Sequence, residues 1–299
     1  MKHTHSHEHS HHITSLNSIF IICIILNLSF VVIEAGIGFV YHSLSLLSDA
    51  GHNLSDVFSL LLSLFAFRMA RQRGNRHFTY GYKKSTILVS LANAIILLIA
   101  VGGIFIESVY RLKSPEPLSG EAISWTAGIG ILVNGATAWL LMKNQKHDLN
   151  VRGAFLHMAM DTLVSIGVVC SGLLITYTGF ARIDTLISLL IAIIILLSTW
   201  KLLKESLYLS LDAVPKSVSM PEVENMLSKI QGIKSWHHLH IWAVSTTENA
   251  ATVHIVLEDI RQMEQIKQRV KHQMHEMNIH HSTIECETTS CSCNEYSCC

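Results

Sequence analysis

The hydrophobic positions of this chain fall in long blocks. Apolar runs occupy about 16–40, 44–68, 84–110, 121–142, 154–178 and 183–203. Each is long enough for a helix of about 20 residues, the length that crosses the roughly 30 Å hydrocarbon core of a bilayer. Strand-like alternation, which a membrane barrel needs, is absent from these blocks. Lipid offers no partner to an unpaired backbone group, so blocks of this kind predict helices. The pattern therefore predicts an α-helical membrane protein with six transmembrane helices.

After Lys204 the pattern changes. The segment SLDAVPKSVSMPE reads as a linker, with Pro215 and Pro221 as breakers. Pro221 suits the first turn of a helix carrying Glu222, Val223, Met226, Leu227 and Ile230, which Gly232 ends. Extended segments follow at about 233–245 and 250–258, then a helix at 261–276 and a last strand at 282–287. The order α-β-β-α-β predicts a small two-layer α+β, ferredoxin-like domain. At about 75 residues its core is modest, and dimerisation is an expected support. Four regions result: a His-rich tail at 1–15, a transmembrane domain at 16–208, a cytoplasmic metal-binding and dimerisation domain at 209–287, and a Cys-rich tail at 288–299.

The loops between the apolar blocks predict an orientation. Arg68, Arg71, Arg73, Arg76, Lys83 and Lys84 flank the second loop, and Lys143, Lys146 and Arg152 the fourth. The alternate loops are poorer in cations, so both termini are expected in the cytoplasm. No basic region precedes a short apolar stretch at the N-terminus, so no cleavable signal peptide is expected. A multi-pass protein of the cell (inner) membrane is the reading.

Composition agrees. Of 299 residues, 49% are hydrophobic and 15% charged, against about 25% charged in soluble domains. Mean hydropathy is +0.37. The formal net charge is zero, which gives no basis for a nucleic-acid partner. The 19 histidines and seven cysteines are the unusual feature. Histidines crowd the N-terminus and the last quarter, and five cysteines lie in the last 14 residues. In this setting metal thiolates fit better than disulfides.

Two motifs carry the chemistry. The second apolar block contains His52-Asn-Leu-Ser-Asp56, and the fifth contains His157-Met-Ala-Met-Asp161. In each, H-x-x-x-D spacing sets His and Asp one turn apart on one helix face. Ionisable groups at membrane depth are costly and are functional candidates by default. Two imidazoles and two carboxylates make four ligands, a set that suits tetrahedral Zn²⁺. Cd²⁺ and Co²⁺ are alternatives. Asp49 precedes His52 by one turn and is expected to support the same face or serve as an entry ligand. Asn27, Glu34, Asn93, Glu107, Asn134 and Asp184 read as packing or interfacial polar groups.

A second cluster lies in the C-terminal region. His237, His238 and His240 share one extended segment, where strict alternation would put His238 and His240 on one face and His237 on the other. His254, His280, Cys286, Glu287, Cys291 and Cys293 are further candidate ligands for a cytoplasmic metal, and His77 is a candidate in the loop after the second block. Glu285 and His281 border the last strand.

At these residues the chain resembles the cation diffusion facilitator family of zinc transporters. The matching segments are HSLSLLSDAGHNLSD at 42–56, FTYGYKK at 78–84, HMAMD at 157–161, ID at 183–184, LDAVP at 211–215 and HHLHIW at 237–242. The resemblance implies a homodimeric exchanger of divalent cations for protons, with His52, Asp56, His157 and Asp161 as its transport site. It also implies a cytoplasmic domain that binds further metal and holds the dimer together. Some family members carry a histidine where this chain has Lys83.

Rival chemistry lacks its motifs. No H-E-x-x-H occurs, and neither a P-loop nor an aspartyl-phosphate signature is present, so transport is expected to draw on an ion gradient and no enzyme is expected. A metal sensor or store would use the His and Cys tails without needing ligands at membrane depth. An intramembrane zinc hydrolase would need an open metal position beside a general base.

Overall fold

The computed structural model describes residues 8–40, 44–113, 121–146, 148–178 and 182–288. It divides into two compact units, Met1–Ser206 and Leu207–Cys299.

The N-terminal unit is built from long helices: α1 (Glu8–Val40), α2 (Leu44–Ala70), α3 (Ser85–Lys113), α4 (Glu121–Met142), α5 (Leu149–Thr178) and α6 (Arg182–Ser210). The shortest has 22 residues and the longest 33. At about 1.5 Å per residue, even 22 residues reach about 33 Å. α1 extends back into the His run, beginning at Glu8. Among the described residues, two helices contain an uninterrupted apolar window of membrane length, Ser18–Ile37 and Ser85–Gly103, and Gly128–Met142 is a shorter one. For the remaining helices the prediction of a crossing rests on the sequence pattern.

The unit's outside is apolar, and polar groups are buried among the apolar side chains of its interior. Asn27, Ser63, Asn93, Asn134 and Thr137 are buried between helices. Ile22, Val32, Phe39, Phe65, Ile99, Leu132, Trp139 and Leu197 face outward and are exposed. In water such a surface would aggregate; against lipid tails it costs nothing. The buried polar groups bond across helices. Asn27 Nδ2 donates to Thr137 Oγ1 at 2.8 Å, tying α1 to α4, and Ser90 and Ser206 hydroxyls lie 2.9 Å apart between α3 and α6.

Helix α5 is positioned at its N-terminal end. Asp148 Oδ1 accepts the backbone N–H groups of Asn150 and Val151, the capping pattern that satisfies a helix's first donors. Asn150 Nδ2 donates to Thr86 O of α3, and Arg152 pairs with Glu205 of α6 at 3.1 Å. Gly153 packs against Leu202 of α6 and Asn93 of α3, where a Cβ would make ordinary contacts at 3.6 and 3.8 Å.

The C-terminal unit has the predicted order: α7 (Met220–Lys229), β1 (Ile233–Ala243), β2 (Asn249–Leu257), a short 3₁₀ turn at Ile260–Gln262, α8 (Met263–Glu276) and β3 (Ile279–Thr288). Pro221 lies in the first turn of α7, and Val223, Met226 and Leu227 form its buried stripe. In α8 the stripe is Ile266, Val270 and Met274. Both stripes cover one face of a sheet ordered β1-β2-β3. β1 and β2 form an antiparallel hairpin whose turn is held by Ser245 Oγ, an acceptor for Thr247 and Glu248 N–H. β3 runs parallel to β2, which needs a crossover connection, and α8 is that connection. Gly232, between α7 and β1, has φ +96, and a Cβ there would lie 2.7 Å from Ile266 Cδ1.

Two differences from the sequence pattern matter. β3 starts at Ile279, so it takes in His280 and His281. β1 is bulged between His237 and His240, with His238 at φ 50. The bulge breaks the alternation that the sequence reading assumed.

Candidate metal centres

The deepest polar cluster lies where α2 meets α5. Asp56 is fully buried, and His157 and Asp161 are 5% and 8% exposed. His157 Nε2 lies 2.5 Å from Asp56 Oδ1 and 3.8 Å from Asp161 Oδ2. One ligand atom from each of the three lies within 4.8 Å of the other two. The i, i+4 spacing on α5 brings His157 and Asp161 to one face, and the packing of α2 on α5 supplies Asp56. His52 and Asp49 belong to α2, one and two turns before Asp56, and their side chains are outside the described residues. Three of the four predicted ligands are thus together, on two helices.

Polar support surrounds this centre. Glu34 of α1 is 1% exposed and accepts from Asn53 Nδ2 at 2.8 Å, next to His52 in sequence. Of the packing and interfacial readings open for Glu34 in the sequence, its burial among the helices fits packing and not a solvated interface. One turn past Asp56, Ser59 Oγ donates to Asn93 Oδ1 at 3.4 Å. Asn93 Nδ2 in turn donates to Ser63 Oγ at 3.0 Å. This polar ladder joins α2 to α3 beside the carboxylate. Glu107 and Asp184 have side chains outside the described residues.

A second centre lies in the C-terminal unit, on the sheet face opposite its helices. The parallel register sets His254 beside Glu285, and the antiparallel register sets His237 beside His254. His254 Nδ1 is 2.9 Å from Glu287 Oε1, and its Nε2 is 3.4 Å from Glu285 Oε2. His237 Nε2 is 3.5 Å from Glu287 Oε1. The rings of His237, His238 and His254 lie 4.8–5.2 Å apart in all three pairings. The β1 bulge is the cause: it brings His237 and His238 together over His254, so the expected split of these two between opposite faces is corrected.

Of the residues predicted for this domain, His237, His254 and Glu287 converge. His240 is exposed, paired with Thr252 past the bulge. His280 is exposed and stands with His275, their ring centroids 5.6 Å apart. Cys286 points toward the core side of the sheet, and burial pushes its thiol above the ordinary cysteine range. Cys291 and Cys293 lie outside the described residues. His77 is in the α2–α3 loop, where its N–H bonds Asn75 Oδ1, and it joins no group of three ligating side chains among the described residues. His238 and Glu285 were not in the predicted set. The i, i+2 spacing of Glu285 and Glu287 on one strand is the signal that would have found Glu285.

Chemically, the two centres differ. The first is a buried pair of carboxylates with one described imidazole. The second is richer in nitrogen and half-open to solvent. Neither offers a nucleophile with a dedicated base.

Comparison with known proteins shows the family. Residues 20–209 match the family model for the cation efflux transmembrane domain, and residues 215–289 match that for the cation efflux protein cytoplasmic domain. The chain is 33% identical over 285 residues to a "Cadmium, cobalt and zinc/H(+)-K(+) antiporter" of Bacillus subtilis, covering 94% of this chain and 92% of that protein. It is 34% identical over 290 residues to "Metal cation efflux system protein CzcD" of Cupriavidus metallidurans, covering 96% and 90%. It is 32% identical over 295 residues to "Zinc transporter ZitB" of Escherichia coli, covering 97% and 94%. Matched along both of its units, this chain belongs to the cation diffusion facilitator family and is a multi-pass membrane transporter of the cation-efflux type, not an enzyme.

Proposed function

We propose that this chain exports Zn²⁺ from the cytoplasm in exchange for protons, through a site made of His52, Asp56, His157 and Asp161. The observation that carries the reading is the convergence of Asp56, His157 and Asp161 in a buried position between α2 and α5. Two carboxylates and imidazole nitrogen suit a borderline cation better than a hard one. Cd²⁺ and Co²⁺, which the Bacillus relative is named for, fit the same donors.

In this reading the chain has six spans with both termini in the cytoplasm of a bacterial-type inner membrane. It works as a homodimer held by the C-terminal unit, and the matched model for that unit carries the dimer in its name. The strand centre of His237, His238, His254, Glu285 and Glu287 binds further metal, and the His-rich 1–15 and Cys-rich 288–299 tails deliver it.

Exchange follows from ligand chemistry. Each ligand atom offers one lone pair, taken by a metal or by a proton. Loading from the cytoplasm therefore expels protons, and reprotonation from an acidic exterior expels the metal. Asp56 and His157, in contact with each other, are the pair through which the two occupants compete. No ATP motif is needed, because the proton gradient supplies the drive.

The test is zinc flux in proteoliposomes holding the purified protein. Asp161→Ala and His157→Ala are each expected to lower flux by at least about tenfold, since loss of one ligand from a four-membered shell removes charge or a lone pair that water replaces poorly. Normal flux in either variant, at equal protein level, would remove the site.

A further inference from the structure

The loop between α2 and α3 has no part in either centre, yet it is built with care. Its residues 71–84 carry Arg71, Arg73, Arg76, Lys83 and Lys84, with Arg68 in the last turn of α2. From Asp56 to Glu107 the sequence contains no acidic residue between these two. Arg68, Arg71, Arg73 and Arg76 are exposed, and among the described residues none of them has an ion-pair partner. Cations without acids beside them are usual in a mobile solvated loop; this one is held closed.

Asn75 Oδ1 accepts the N–H groups of His77 and Phe78 at 2.9 and 2.8 Å. Asn75 N donates to Phe78 O, and Gly81 N donates to the same oxygen, both at 2.9 Å. Two glycines make the fold of the loop possible. A Cβ on Gly74 would lie 2.2 Å from Thr79 O; Gly81 has φ +70, and its Cβ would lie 2.6 Å from Gln72 O. Only residues without side chains fit there. The result fixes Phe78 against Tyr82, with ring centroids 4.8 Å apart, while leaving Phe78 52% and Tyr80 47% exposed.

The flanking helices place the loop. α3 carries one of the apolar windows of membrane length, and Ser85 Oγ donates to Ala66 O at 3.4 Å, so both helix ends meet under the loop. With α2 and α3 read as spans, the loop sits at the bilayer surface. There, arginine forks bind phosphate bidentately, and exposed aromatic rings settle at headgroup depth.

We infer that residues 68–84 form a preorganised binding platform for anionic phospholipid headgroups. Arg71, Arg73 and Arg76 supply the charge, Phe78 and Tyr80 the interfacial anchor, and Gly74 and Gly81 the rigid frame. The inference rests on the membrane reading of α2 and α3, but not on the metal, the counter-ion or the direction of transport.

The test titrates fluorescent phosphatidylglycerol and phosphatidylcholine into the purified full-length protein in neutral detergent. Wild type is expected to bind phosphatidylglycerol roughly 100-fold tighter, with the advantage lost at high salt. Each basic residue near an anionic surface is worth roughly fivefold, so Arg71→Gln/Arg73→Gln/Arg76→Gln is expected to remove the preference altogether. Arg→Lys at the same three positions keeps the charges that orient the helices and loses only the forks, so a partial loss is expected. Gly74→Ala leaves every charge in place and is expected to weaken binding severalfold by opening the loop. Equal affinity of wild type for the two lipids needs no variant to interpret and would overturn the proposal. Full phosphatidylglycerol affinity in the triple Gln variant would do the same. Unchanged affinity in Gly74→Ala would refute the built platform and leave charge alone. Zinc flux is read separately, so its loss or retention does not bear on the result.

Discussion

A carboxylate buried in a membrane protein needs a partner, and Asp56 shows what kind. It is fully buried and faces His157 Nε2, which also lies 3.8 Å from Asp161 Oδ2. Removing two carboxylates from water is costly unless a cation joins them. A proton or a metal ion would each meet that need, which is the basis of the exchange proposed for this site. Donor type then sets which metal is held. Replacing His52 with Asp exchanges a borderline nitrogen for hard oxygen. His52→Asp is therefore expected to raise Cd²⁺ or Mn²⁺ transport relative to Zn²⁺. Competition between metals in a flux assay measures it, and an unchanged profile would place selectivity elsewhere. The residues of this site were legible in sequence because H-x-x-x-D spacing is local to one helix. Glu34 was not, since its burial depends on which helix packs against α1, a non-local fact that its own apolar neighbours do not encode. Asn93 was legible only as a polar residue in an apolar block; its bonds to Ser59 and Ser63 required the α2–α3 contact.

Helix periodicity and breakers carried most of the C-terminal unit. Pro221 and Gly232 bound α7 as expected, and the stripes on α7 and α8 follow from spacing alone. Gly232 is also a test of the packing. At φ +96, with Ile266 Cδ1 2.7 Å from the place of a Cβ, Gly232→Ala brings both backbone strain and a clash. A cost of about 1–3 kcal/mol is expected. Hydrogen exchange on the full-length protein should show protection in β1 and α8 falling by roughly 10–100-fold with α1–α5 unchanged, and equal protection throughout would refute the account. What periodicity missed was the β1 bulge. An alternation rule has no term for an inserted residue, so His237 was put on the wrong face. The bulge makes the strand centre, and its pH response follows. Imidazole nitrogen binds metal only in its unprotonated form. Protons compete with metal there, so zinc affinity of this centre should fall as pH drops from 7.5 to 5.5. His254→Ala/Glu287→Ala should remove both the tight zinc site and most of that pH dependence. Calorimetry on the full-length protein with the α2–α5 site disabled by Asp161→Ala isolates this response. Zinc binding unaltered by the double substitution would remove the strand centre.

At the scale of the whole molecule, two units with opposite solvent logic share one chain. The N-terminal unit buries Asn27, Asn93 and Thr137 and exposes Phe39, Trp139 and Leu197; the C-terminal unit buries Val223, Leu227, Ile255 and Val270. The block pattern made that division readable, since a membrane unit and a water-soluble one need opposite surfaces. Family membership adds cation efflux. The central claim is that the α2–α5 site trades metal for protons, and it has a sign. Raising cytoplasmic pH should favour metal loading, and lowering external pH should favour release, because protons and metal compete for the same lone pairs. The most direct measurement places the purified protein in proton-tight vesicles loaded with a pH-sensitive dye, then imposes a zinc gradient. The account predicts a luminal pH change whose direction is opposite to zinc movement in proton terms, abolished with the flux by Asp161→Ala. Zinc movement with no proton countermovement in tight vesicles would contradict it, and would make the protein a channel, a uniporter or an exchanger for another ion.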